Sequence, residues 1–239
     1  MMIERFRVRD RDEISGVWLR AFNRVYERGE LFHLLFHPER FSFICGPASF
    51  VVNESMKLDP PVWHATLGEI KDWWEARRAS SWRVERTARP GERYVMSLVA
   101  PRGATVLIKS PGDRGGRFFY RNYKVLPGAD KGGELVFETE SPESHMISVD
   151  GSNEPVREFL RDEGFIIREG APDVASFSTG RIDPLSGAEK LKLLERIDAS
   201  PYPLIRIWRW PAGARCAFSV SSDVDSINVA DFLRRLAYF

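Results

Sequence analysis

Two aspartates near the end of the sequence, Asp223 and Asp225, have the clearest potential for chemistry. They follow an apolar run, Cys216 to Val220, which predicts a short buried strand. If this segment stays extended, the two carboxylates point to the same side and lie roughly 6–7 Å apart. Carboxylates placed in this way suit a metal ligand and a general base. The alternative is a helix-capping turn, since Ser-Ser-Asp also precedes a helix-like run from Val229 to Leu236.

His33 and His37 form a second candidate group, because their His-x-x-x-His spacing occurs in metal sites. They lie in an almost continuous apolar run that starts at Leu31 and stops before Pro38, which predicts a buried strand. On a strand the two side chains are roughly 13 Å apart, so they cannot share one metal ion. His37 falls at the carboxyl end of the strand, where α/β folds place their active sites. His33 lies deeper and is predicted to be a hydrogen-bonded core residue.

Helices and strands alternate over residues 13–78, which is typical of an α/β unit. Hydrophobic periodicity, a stop signal at Gly29 and a capping box from Thr66 to Glu69 delimit the elements. The predicted elements are a helix over 13–28, a strand over 31–37, an irregular segment over 40–61, a strand over 62–65 and a helix from 66 to about 78.

From about Ser81 the period of the apolar residues changes to that of strands, separated by turns rich in glycine and proline. The predicted strands are 82–86, 94–99, 104–109, 117–125, 134–139 and 146–149. This pattern predicts an antiparallel sandwich or small barrel over residues 81–150. His145 stands alone in it and is predicted to lie in a surface loop.

Beyond residue 150 the sequence predicts a mixed connector and then a return to strand. The predicted elements are a helix over 154–164, a strand over 165–168, a loop over 170–185, a helix over 188–197, a stiff linker over 200–203 and an alternating strand over 204–210. The fold class predicted for the chain is α+β, with a central antiparallel β-sandwich-like domain flanked by incomplete α/β segments.

Charge and composition exclude several classes of protein. With 35 basic and 34 acidic residues, the chain has neither a basic surface for nucleic acid nor an acidic tail. Its two cysteines, Cys45 and Cys216, are too few for a disulfide framework. The charged first residues contain no apolar signal region, and no apolar run reaches the length of a membrane span. We therefore expect no signal peptide and no membrane span in this sequence, and the compartment stays open.

The stretch from Trp210 to Asp225 resembles the start of a NodB-type polysaccharide deacetylase domain, where an apolar strand runs into an acidic motif. The resemblance implies that Asp223 is the general base and that Asp225 is a metal ligand. Ser226 stands where the family usually has glycine or another small residue, so the motif is preserved in character.

Near the other end, Leu34 to Pro38 is similar to the last motif of the same family, a Leu-x-His on the final barrel strand. This similarity implies that His37 is the general acid that protonates the leaving amine and that Leu35 lines the acetyl pocket. The longer segment from Val62 to Arg77 is similar to the closing segment and helix of such domains.

The activity implied by the resemblance is metal-dependent hydrolysis of N-acetyl groups on a glycan, with a divalent ion, usually zinc. In the family one aspartate and two histidines of a His-Ser/Thr-x-x-His motif hold the metal, and no such motif follows Asp225 up to Phe239. The Arg-x-Pro-Tyr segment and a later Asp-containing motif are also missing. With one carboxylate ligand tight zinc binding is not expected, so the chain alone is predicted to be inactive.

Two arrangements fit a resemblance that is confined to the two ends of the chain. In the favoured one the chain is a slice of a tandem protein, and in the other it is a permuted barrel with a large insertion, completed by a partner chain. The predicted segments are 1–80 (end of one deacetylase-like barrel), 81–150 (sandwich-like domain), 151–203 (helical and mixed connector) and 204–239 (start of a second deacetylase-like barrel).

A different class of function, a non-catalytic carbohydrate-binding or scaffold module, is the alternative prediction. It depends on aromatic side chains that would stack on sugar rings: Trp82, Phe118, Phe119, Tyr120 and Tyr123. The competing interpretation is that these rings belong to the hydrophobic core on alternating strand faces.

Overall fold

The computed structural model describes residues 10–36, 41–86, 94–110, 118–126, 133–150, 153–169 and 176–222. Within these residues the helices are α1 (Arg11–Arg28), α2 (Phe41–Ser55), α3 (Leu67–Arg78), α4 (Glu154–Asp162) and α5 (Gly187–Ala199). The strands are β1 (Leu31–Phe36), β2 (Val62–His64), β3 (Ser81–Arg86), β4 (Tyr94–Ala100), β5 (Ala104–Lys109), β6 (Tyr123–Val125), β7 (Gly133–Thr139), β8 (Ile147–Val149), β9 (Ile167–Glu169), β10 (Phe177–Ser178), β11 (Ile205–Pro211) and β12 (Cys216–Ser222).

Helices and strands occur together in small sheets, so the predicted α+β class is confirmed. The chain forms two compact units, one from the residues up to Leu67 together with those from Arg215 onward, the other from Gly68 to Ala214. The division into four segments stays a prediction. No helix in the described part of the chain is long and apolar enough to span a membrane.

The first unit contains a three-stranded parallel sheet with the order β1-β12-β2. β1 pairs with β12 along its whole length, from Leu31 opposite Ala217 to Phe36 opposite Ser222. β2 pairs with the first residues of β12 and ends at His64, opposite Phe218. The two apolar runs that predicted strands near opposite ends of the sequence therefore lie side by side.

One face of this sheet packs against α1 and α2, because apolar side chains alternate along both long strands. The core is formed by buried side chains of all these elements: Phe22, Phe32, Leu34, Val51, Cys216 and Phe218. The rings of Phe22 and Phe32 meet edge to face with centroids 5.4 Å apart. α1 ends at Gly29 as the sequence predicts, with a φ of 66°, but it begins at Arg11, before the predicted start at residue 13, because Asp10 caps its N-terminus.

The prediction that residues 40–61 are irregular is wrong, because most of this segment forms α2. Its buried residues, Ile44, Pro47, Val51 and Ser55, recur every three or four positions, which is the period of a helix face. Gly46 and Pro47 concealed this period, since both residues are typical breaks in a helical pattern. Packing of this face in the first unit compensates for the hydrogen bond that Pro47 cannot donate.

The described residues of the second unit form three further three-stranded sheets. Two are antiparallel, with the orders β3-β4-β7 and β11-β5-β6, and the third is parallel, with the order β10-β8-β9. Five of the six strands predicted in residues 81–150 lie close to their observed positions, whereas among the described residues of the strand predicted over 117–125 only Tyr123–Val125 is formed. The strands are distributed over all three sheets. A sandwich or barrel over residues 81–150 is therefore not confirmed.

The prediction of a surface loop for His145 is wrong. This histidine ends a short 3₁₀ helix, Pro142–His145, and its side chain is buried. Its Nδ1 donates to the carbonyl oxygen of Pro203 at 2.7 Å, and its Nε2 lies 3.0 Å from Oγ1 of Thr139. Burial lowers the pKa of His145, so the ring is neutral at pH 7. The carbonyl partner lies far away in sequence, and no local pattern indicates it.

Candidate functional site

The ends of β1 and β12 form what we call the carboxyl edge, the edge of the first sheet at Phe36 and Ser222. These two residues are register partners in neighbouring parallel strands, whose backbones lie about 4.8 Å apart. In the sequence, His37 follows Phe36 and Asp223 follows Ser222. The structure therefore brings together the residues that directly precede the predicted acid and the predicted base. His37, Asp223 and Asp225 themselves lie outside the described residues.

Leu35 is the one predicted site residue within the described part of the chain. It lies on β1 with 60% of its surface exposed, opposite Ser221 of β12. Since strand side chains alternate, Leu35 lies on the face opposite to Phe32 and Leu34, which belong to the hydrophobic core. An exposed leucine one residue before the end of a buried strand is available to line a substrate pocket.

His33 lies on the same face of β1 as Leu35; it is half-buried rather than part of the core, and one of its two ring nitrogens is hydrogen-bonded. Its Nε2 is 3.0 Å from Oγ of Ser221 on the neighbouring strand. Its Nδ1 is buried and has no hydrogen-bond partner in the described residues. A serine and a histidine at this distance have the arrangement of a nucleophile and its general base. The third group that would orient the imidazole is absent from the described residues.

Sequence reasoning missed Ser219 and Ser221 as members of this face. Ser219 is 1% exposed, and its Oγ has no partner in the part of the chain that the structure describes. Together with His33 these serines form a polar strip on one face of the sheet, which leads to the carboxyl edge. The signal was present, because the serines alternate with Phe218 and Val220 and must lie on the other face.

A second serine and histidine pair lies elsewhere in the first unit and joins buried Ser55 to His64, which is exposed at the end of β2. Nε2 of His64 is 2.8 Å from Oγ of Ser55, which also donates to the carbonyl oxygen of Val52. Burial lowers the pKa of His64 and keeps its ring neutral at pH 7. His64 ends β2 opposite Phe218, about 13 Å along β12 from Ser222, so the pair lies well below the carboxyl edge.

A small cavity of about 270 Å³ opens beside the carboxyl edge. It is lined by Phe36 and Val220 from the strands and by residues of α2 that include Cys45, Ser49 and Asn53. Neither Cys45 nor Cys216 is in a disulfide bond. Burial raises the pKa of the Cys216 thiol to about 12, so this sulfur is no nucleophile.

The aromatic residues considered for sugar stacking do not form an exposed platform. Phe119, Tyr120 and Tyr123 are buried, and the rings of Phe119 and Tyr120 pack against Trp208 at centroid distances of 5.5 and 4.7 Å. The indole N–H of Trp208 donates to the carbonyl oxygen of Ala214 at 2.9 Å. These rings are part of the core of the second unit, as the competing interpretation predicts.

In the described residues no three His, Cys, Asp or Glu side chains come close enough to hold a metal ion. Asp225, the predicted ligand, lies outside those residues. Comparison with known proteins gave no match to a family model, a curated protein or a solved structure.

Proposed function

We propose that the chain is polysaccharide deacetylase-like and contributes to metal-dependent hydrolysis of N-acetyl groups on a glycan at the carboxyl edge. One observation supports this proposal above the others: β1 and β12 are parallel neighbours, and Phe36 lies opposite Ser222. Because His37 and Asp223 follow these residues directly, the acid and the base come from adjacent strand ends. Active sites of parallel α/β folds lie at such ends.

The pairing of β1 with β12 also agrees with the barrel-like arrangement that the resemblance implies. The resemblance assigns Leu34 to Pro38 to the last strand of a barrel and the stretch up to Asp225 to the first. Closing a parallel barrel places its first and last strands side by side. The pairing of β1 with β12 supports such a junction and so favours one shared site over two sites in separate domains.

In this proposal each residue has one role. Asp223 accepts a proton from the attacking water, and His37 gives a proton to the departing amine. Asp225 contributes a carboxylate ligand, and Leu35 contacts the methyl group of the acetyl substituent. A divalent ion, when bound, lowers the pKa of the water and stabilises the oxyanion. The carboxylate of Asp225 fits zinc as a ligand, but one carboxylate needs further ligands, which a partner chain or another segment would supply.

We expect the purified chain to bind zinc weakly, with a Kd no tighter than about micromolar, because complete structural sites draw on ~10–16 kcal/mol. Asp225→Asn should weaken this binding at least tenfold, a change that a competition titration with a chromophoric chelator measures. Asp72→Asn, which alters an exposed aspartate of α3 with a side chain 78% exposed, is the matched control.

The same preparation should not deacetylate an oligomer of N-acetylglucosamine in the presence of zinc. Equal zinc affinity of the wild-type protein and Asp225→Asn would contradict the role of that carboxylate. Zinc-dependent hydrolysis that Asp223→Asn abolishes would support the deacetylase chemistry and overturn the predicted inactivity of the chain alone.

A further inference from the structure

We infer that the second unit contains a binding site for a small ring-bearing anion, a carboxylate or a phosphate. The site is a cavity of about 690 Å³, here called the arginine cavity because Arg77, Arg78 and Arg161 line it. It lies between the end of α3, the start of β3 and the segment that follows α4. This inference is independent of the carboxyl edge and of the proposed hydrolysis.

The first support is a set of buried donors without partners. The side chain of Arg77 is 3% exposed, and its Nη2 donates to the carbonyl oxygen of Asp162 at 2.6 Å. Its Nε and Nη1, and also Oγ of Ser80, are buried and have no hydrogen-bond partner in the described residues. Buried guanidinium and hydroxyl groups are normally hydrogen-bonded. Two such residues lining one cavity indicate that a ligand with acceptor oxygens completes it.

The second support is charge. Besides its three arginines the arginine cavity is lined by two acidic residues, Glu158 and Asp162. The carboxylate of Asp162 is already paired with Arg78, since its Oδ1 accepts from Nε of Arg78 at 2.9 Å and from Nη2 at 2.5 Å. The lining therefore carries an excess of positive charge, which an anion would neutralise.

The electrostatic environment of Arg77 also favours a bound anion. Burial, and after it the positive charge of nearby Arg206, lowers the pKa of Arg77 to about 9, although the negative charges of Glu163 and Asp162 act in the opposite direction. An anion next to Arg77 would favour its charged form and so offset both effects. Guanidinium groups are the usual partners of carboxylates and phosphates in buried sites, because they are planar and weakly hydrated.

The third support is the wall of the arginine cavity, which indicates what is attached to the anion. Trp82 of β3 is 37% exposed beside the arginines, while Leu98, Ile166 and Ile207 provide apolar surface. A tryptophan face next to donors suits a flat ring that bears an anionic group, in the way that ligand sites combine apolar walls with few polar groups.

Titration calorimetry at constant ionic strength tests the inference with three probes: phenyl phosphate, benzoate and neutral benzyl alcohol. At least one anion should bind, whereas benzyl alcohol should bind at least tenfold more weakly. Tighter binding of phenyl phosphate identifies a phosphate site, and tighter binding of benzoate identifies a carboxylate site. Absence of binding by both anions at millimolar concentration, or equal binding of benzyl alcohol, would overturn the inference.

Variants then locate the binding. Ser80→Ala should weaken binding of the preferred anion about five- to tenfold, the value of one hydrogen bond. Its fold should survive, because the hydroxyl has no partner to lose. Trp82→Ala should weaken binding of the anion by a similar factor, since it removes the ring face. Arg83→Gln is the matched control on the same strand, because its side chain is 76% exposed outside the cavity lining. If Arg83→Gln weakened binding of the anion as much as Ser80→Ala does, the binding would lie elsewhere and the site would be refuted.

Discussion

Gly164→Ala is expected to lower the free energy of unfolding by about 3–5 kcal/mol, because it combines backbone strain with a clash. Gly164 has a φ of 85°, a region that L side chains rarely adopt. A Cβ at this position would overlap the carbonyl oxygen of Ile207 and approach Nη2 of Arg77 to 2.8 Å. Neither backbone can withdraw easily, since the N–H of Ile207 donates to the carbonyl oxygen of Gly164 at 2.8 Å.

Gly180→Ala separates the clash from the strain. Gly180 has a φ of 64°, but a Cβ built there meets no atom within 4 Å. This variant should therefore lose only about 1–2 kcal/mol, the cost of a left-handed conformation. Urea unfolding with unchanged m-values measures both variants. Equal losses in the two variants would show that the backbones of residues 164 and 207 are not in close contact.

Glu163→Gln is expected to destabilise the second unit by about 3–5 kcal/mol, because it leaves buried arginines without their counter-charge. Oε2 of Glu163 accepts from Nη2 of Arg206 at 3.0 Å and from Nη2 of Arg209 at 2.7 Å. The side chains of Arg206 and Glu163 are 3% and 12% exposed, so water cannot replace the lost charge. Glu195→Gln on the exposed side of α5 is the control, with an expected loss within about 0.5 kcal/mol.

The pH dependence of the same pair of proteins gives an independent readout. Burial alone would raise the pKa of Glu163, but the charges of Arg206 and Arg209 outweigh it and lower the pKa below the ordinary 4.5. A carboxyl group with a lowered pKa stabilises the fold above its unfolded pKa, and this contribution is lost as the pH falls through the folded value. The stability difference between wild type and Glu163→Gln should thus be constant near pH 7 and shrink below about pH 4.5. A difference that does not change with pH would exclude the ion pair as its cause.

Local signals were sufficient to predict most individual elements. Gly29 predicts the end of α1 because a helix C-cap depends only on neighbouring residues, and the apolar run from Cys216 predicts β12 for the same reason. The pairing of the strands into sheets could not be predicted from such local signals. β5 joins β11, with Ile108 opposite Ile205, across a long sequence interval that no period or turn signal encodes. The predicted sandwich assumed that all strands of residues 81–150 pair with one another, whereas β5 and β8 pair with strands from beyond residue 150.

The same distinction, between elements that local sequence predicts and pairings that it does not, applies to the candidate site. The position of His37 and Asp223 after two apolar runs was visible in the sequence, but the register that makes Phe36 and Ser222 neighbours was not. His33 was predicted to be hydrogen-bonded, but its partner, Ser221, lies on the neighbouring strand β12 and could not be identified from the sequence. Side-chain partners across a sheet follow from register, and register depends on the packing of the whole face.

The central claim, that segments from both ends of the sequence form one carboxyl edge, can be tested by cross-linking in a Cys45→Ser background. Leu35→Cys with Ser221→Cys places two thiols opposite each other on the same sheet face, while buried Cys216 stays unreactive. Leu35→Cys with Val220→Cys is the control, since Val220 is 46% exposed on the opposite face. Oxidation or a short bis-alkylating reagent should join the first pair within one chain and leave the second pair apart, as read by peptide mapping. Equal cross-linking of the two pairs, or a cross-link found only between chains, would contradict the shared edge and with it the single site proposed for His37 and Asp223.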